Sequence, residues 1–75
     1  MREEVKKIFE MYIRNEIEIK EIQSWLATIY VDDKNSVEVI RKLDNRIEEI
    51  IYCYNQKNQR KLILQLYEDF LKSHI

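Results

Sequence analysis

The chain contains neither glycine nor proline. A sequence of 75 residues would ordinarily hold about nine of them. Their absence removes the usual turn formers and helix breakers. Two-residue hairpins lose their preferred turn residues. Phosphate-cradling glycine loops and dinucleotide fingerprints cannot be written at all. What is left is rich in Ile, Leu, Glu, Lys and Arg, which favours helix. An all-α fold is therefore expected, with its turns built from Asn, Asp and Ser.

A chain this short forms one domain, residues 1–75, near the lower limit for an unassisted core. Small domains lean on a disulfide, a metal, a partner or very regular helix packing. One cysteine excludes an internal disulfide, and one histidine with one cysteine makes a poor zinc set. Regular helices or a partner remain. Thirteen basic and fourteen acidic side chains give a formal net charge of −1, far from the basic excess of a sequence-independent nucleic-acid binder. No apolar run approaches the ~20 residues of a membrane span, and MREEVKK lacks the apolar stretch of a signal peptide. The expectation is a cytoplasmic protein with no cofactor, which binds neither nucleic acid nor membrane.

Four apolar stripes follow one another. Val5, Ile8, Phe9, Tyr12 and Ile13 fall on one face of a helix over 2–14. Asn15 tolerates a left-handed conformation and marks its stop. Glu18 and Glu21 have capping-box spacing, and Ile19, Ile22, Trp25, Leu26, Ile29 and Tyr30 make a second stripe ending near Val31. Trp25 is expected in the core. DDKNS, residues 32–36, is the clearest loop. Asn35 with Glu38 offers a cap for the third helix, whose Ile40, Leu43, Ile47, Ile50 and Tyr54 form a heptad-like seam. NQKN, residues 55–58, interrupts the pattern. Asn58 offers the next cap, and Leu62, Ile63, Leu66, Tyr67, Phe70 and Leu71 make the fourth stripe. The result is four short amphipathic helices in an antiparallel bundle. If NQKN stays helical, the last two helices fuse and the chain self-associates as a homodimer.

No catalytic set is visible, and an enzyme is not expected. A reactive cysteine needs a base, a cation or a helix N-terminus beside it. Cys53 stands at the other end of its helix and reads as a small packing residue. His74, near the chain end, reads as solvated. The adjacent carboxylates Glu48/Glu49 and Glu68/Asp69 point about 100° apart on a helix and cannot share a proton. Asp32/Asp33 lack EF-hand spacing and its glycine. Charge is nonetheless uneven. Glu10, Glu16, Glu18 and Glu21 gather at the first turn, Asp32, Asp33 and Glu38 at the second, and Lys57, Arg60 and Lys61 at the third. Antiparallel packing puts the first and third turns at one end. An acidic patch there suits a basic protein partner. Tyr52, on the outward side of the third helix, suits an interface anchor.

IFEMYIRNEIEIKEIQSWLATIY (Ile8 to Tyr30), followed by VIRKLDNRIEEIIYCY and KLILQLYEDFL, resembles small bacterial immunity proteins of the colicin D immunity type. The resemblance implies four helices that bind a toxin domain, often a tRNA nuclease, and block its active site with acidic side chains. It makes Glu16, Glu18, Glu21, Asp32 and Asp33 the candidate contacts, beside Tyr52. RKLDNRI, residues 41–47, is also similar to the S-Q-E-L-D motif of small helical phosphatases that act on response regulators. Only Leu43 and Asp44 match it. A protein-binding inhibitor is the expected function. A self-associating module, a regulator phosphatase and an antirepressor are the alternatives.

Overall fold

Each apolar stripe becomes one helix in the computed structural model, which describes residues 1–72. These are α1 (Arg2–Ile13), α2 (Ile19–Leu26), α3 (Lys34–Cys53) and α4 (Gln56–Lys72). His74 lies outside the described residues. Each helix packs on its neighbours in sequence, and α4 closes back onto α1. The α1–α4 pair is antiparallel, because Arg2 at the start of α1 bonds carbonyls at the end of α4, and Arg60 near the start of α4 bonds the last carbonyl of α1.

The core fills the centre of this ring. Val5, Ile8, Phe9 and Tyr12 of α1 meet Ile22 and Leu26 of α2, Leu43, Ile47 and Ile50 of α3, and Ile63, Tyr67 and Phe70 of α4. Phe9 stacks on Tyr67 with ring centroids 5.3 Å apart. Burial, followed by the Glu10 carboxylate, holds the Tyr67 phenol above its ordinary value. A buried Val, Leu, Ile or Phe contributes roughly 1.5–3 kcal/mol, so these side chains carry the fold. Among the described residues no polar or charged side chain is buried.

The ends of the helices show how turns form without glycine. Asn15 takes the left-handed position at φ 62°. Its N–H bonds the Tyr12 carbonyl at 3.0 Å, and the Glu16 N–H bonds the Met11 carbonyl at 2.8 Å. This is the Schellman pattern, with Asn in the position usually given to Gly. The capping box at Glu18 is present, its N–H donating to Glu21 Oε2 at 3.2 Å.

Several boundaries and burials differ from the sequence expectation. The second helix stops at Leu26, not near Val31. Thr28, Ile29, Tyr30 and Val31 follow, and β-branched and aromatic residues in succession favour extended backbone. The Thr28 hydroxyl also bonds the Trp25 carbonyl at 2.7 Å, which helps close the helix. Eight residues bury only a narrow face. Ile22 and Leu26 occupy it, leaving Trp25 47% and Tyr30 84% exposed. The third helix is capped by Asp33 instead of Asn35, with the Ser36 N–H donating to Asp33 Oδ2 at 2.9 Å. The break at residues 54–55 separates the last two helices. Tyr54 is extended, and Asn55 Oδ1 accepts from the Asn58 N–H at 3.0 Å, so α4 starts three residues before the expected Gln59. Gln59 Nε2 reaches back to the Tyr54 and Ile51 carbonyls at 2.8 and 3.2 Å, covering the end of α3. Tyr54 and Cys53 therefore sit at the bundle's rim. Both are exposed, not packed.

Asn15→Ala keeps a Cβ in the left-handed region and removes the side-chain acceptor that Arg60 bonds. It should cost about 1–2 kcal/mol in urea unfolding, and Asn15→Gly should cost less. Asp33 is held below the usual carboxylate value, chiefly by the hydrogen bond from the Ser36 N–H and then by the Ser36 side chain. A folded-state value below the unfolded one gives stability that is present above the unfolded value and is lost as pH falls through the folded one. Asp33→Asn keeps a capping acceptor but cannot titrate. Its thermal midpoint should therefore fall less than that of the native chain between about pH 5 and about pH 2. Identical acid dependence would contradict this role.

Candidate functional site

The first turn and the third turn meet at one end of the bundle. Between them lies an open cleft of about 660 Å³. Its lining includes Glu16, Glu18 and Glu21 from the α1–α2 turn and the start of α2, with Gln56, Gln59 and Arg60 from the start of α4. Tyr12, Ile17 and Ile19 supply its apolar part.

Local chemistry fixes each side chain there. The Schellman turn at Asn15 places Glu16 beside Arg14, with Nε donating to Glu16 Oε2 at 2.7 Å. That hydrogen bond is the main reason the Arg14 guanidinium is held above its ordinary value, with the charge of Glu16 adding to it. The pair is exposed on both sides, so solvent screens it and it contributes little to stability. Glu18 and Glu21 are positioned by the capping box. Their charges face the positive end of the α2 dipole.

Arg60 is the cation inside the cleft, and its donors are engaged within the chain. Nη1 donates to Asn15 Oδ1 at 3.1 Å and Nη2 to the Ile13 carbonyl at 2.8 Å. Its guanidinium carbon stands 5.5 Å from the centre of the Tyr12 ring. Burial raises the Tyr12 phenol above its ordinary value, and Arg60 opposes that rise by its charge and a hydrogen bond. Glu16 is matched by Arg14, so Glu18 and Glu21, which pair with no cation among the described residues, set the negative character of the cleft against the internally bonded Arg60. A concave acidic surface of this kind concentrates field toward a cationic group.

Not all the sequence candidates share this surface. Glu16, Glu18 and Glu21 are brought together. Asp32 and Asp33 lie before α3, while the cleft lies beyond its other end. Twenty residues of helix, about 30 Å, separate the two groups. Asp33 is occupied as the α3 cap, and Asp32 is exposed. Tyr52 is 77% exposed near the cleft end of α3 but does not line the cleft. Asp44, of the phosphatase-like motif, is half-buried in mid-α3. Its carbonyl accepts a 3.5 Å hydrogen bond from Gln23 of α2.

Sequence reading missed two residues here. By spacing Arg60 belongs with Lys57 and Lys61 as surface charge, yet it ties the end of α1 to the start of α4. Its spacing gives no sign of this, because the partner lies 45 residues away. Trp25 joins the exposed aromatics once α2 is shortened. Among the described residues no group of three or more His, Cys, Asp or Glu is gathered as a metal site. No helix among the described residues is long and apolar enough to cross a membrane. No protein-family model matches this chain, and neither a curated protein nor a solved structure matches it.

Proposed function

We propose that this chain is a protein-binding inhibitor of the immunity type, which neutralises a basic, nuclease-type toxin domain by docking the acidic cleft over it. The observation that carries the reading is the convergence of Glu16, Glu18 and Glu21 on one open cleft that Tyr12, Ile17 and Ile19 also line. A nuclease holds phosphate with cationic side chains, and carboxylates presented at the same spacing compete for those cations through charge-assisted hydrogen bonds. The apolar residues Tyr12, Ile17 and Ile19 add contact area beside the charges. Asp32, Asp33 and Tyr52 belong to a contact of this kind only if the partner is large enough to wrap the bundle.

The test is capture of partners from a native cell lysate with the tagged chain, in parallel with a Glu16→Gln/Glu18→Gln/Glu21→Gln variant. Gln in place of Glu21 keeps the N3 half of the capping box, and circular dichroism checks that the variant is folded. The native chain should retain one stoichiometric basic protein whose nuclease activity it blocks. The neutralised variant should bind it at least about tenfold more weakly, and salt should weaken the native complex. Equal capture and equal inhibition by the variant would remove the cleft from the account.

A further inference from the structure

We propose that the outward groove between α3 and α4 is a homodimer seam, filled by the same groove of a second copy of this chain. The groove encloses about 430 Å³. The α3 wall presents Val39, Lys42 and Arg46, the α4 wall presents Leu66 and Asp69, and Leu43 and Phe70 form the floor. Val39 and Leu66 are only half-buried, so they lose further contact with water when covered.

Charge selects the occupant. Both cations stand on the α3 wall and the carboxylate on the α4 wall. Arg46 already pairs with Glu49 one turn along its helix. Lys42 and Asp69 are exposed, and among the described residues neither is paired within the chain. A two-fold axis parallel to the groove lays α3 of one copy over α4 of the other at the same level. Lys42 of each copy then faces Asp69 of the other, and the apolar residues meet across the axis. An isologous contact needs this kind of self-complementarity. A two-fold axis across the groove would instead set Lys42 against Lys42. The signs therefore favour one arrangement over the other. The seam is small, so the dimer is weak and reversible.

This surface is separate from the acidic cleft, and none of its residues lines that cleft. The dimer and the inhibitor reading can thus fail independently. Sedimentation equilibrium of the full chain from about 10 μM to about 1 mM should show a monomer–dimer equilibrium that weakens with added salt. Lys42→Asp and Asp69→Lys alone should each raise the dissociation constant at least about tenfold. An equimolar mixture of the two should restore association, because both cross-pairs are then opposite in sign. Circular dichroism confirms that each variant is folded. A monomer at every concentration would overturn the proposal. A dimer indifferent to both substitutions, or a mixture that does not recover, would overturn this seam.

Discussion

The seam between α1 and α4 is the one that closes the ring of helices without a chain connection. Short connections tether α1 to α2, α2 to α3 and α3 to α4. Nothing in the backbone tethers α1 to α4, so that closure has to come from side chains. It is made in three places along the seam. Phe9 stacks on Tyr67 in the middle. Arg60 bonds the Ile13 carbonyl at one end, and Arg2 donates to the Leu71 carbonyl at 2.7 Å at the other. Each guanidinium also lies over an aromatic ring, Arg60 over Tyr12 and Arg2 over Phe70. A helix C-terminus leaves four carbonyls without intrahelical partners and carries the negative end of the dipole. An arginine from the antiparallel neighbour satisfies both requirements at once. In the first helix the account is complete, since the carbonyls of Glu10, Met11, Tyr12 and Ile13 all have donors.

The same contact shapes the candidate site. Arg60 holds the start of α4 against the Asn15 turn, and the residues on both sides of that contact line the cleft. The Glu16 carboxylate is turned toward Arg14, and the capping box directs Glu18 and Glu21. Groups that satisfy local backbone needs are thereby displayed together on a concave surface. A structural role and a binding role are compatible here, because capping carboxylates stay exposed and charged.

Much of the fold was legible in the sequence. The absence of glycine and proline pointed to helices, and the apolar periodicity located all four. Asn15 and the Glu18/Glu21 pair announced their turns by residue type. The misreadings share a cause. A helical period extended through residues 28–31 puts Trp25 and Tyr30 inward, but β-branched residues there end the helix. Asp33 and Asn55 each cap ahead of a later Asn, because each helix begins early enough for their side chains to accept from the Ser36 and Asn58 N–H groups. Of the site, the acidic first turn was legible as local charge. Its separation from Asp32 and Asp33 followed from helix topology. The pairing of Arg60 with Asn15 did not, because a contact across 45 residues leaves no local pattern.

The most direct measurement of the central claim is the unfolding free energy of Arg60→Gln and Arg2→Gln, set against Lys61→Gln on an exposed position of α4. Charge-assisted hydrogen bonds to carbonyls and cation–π contact predict a loss of about 2 kcal/mol for each arginine, against a change within about 0.5 kcal/mol for the lysine. If the arginine variants prove as stable as Lys61→Gln, the closure of α1 on α4 does not rest on these clamps.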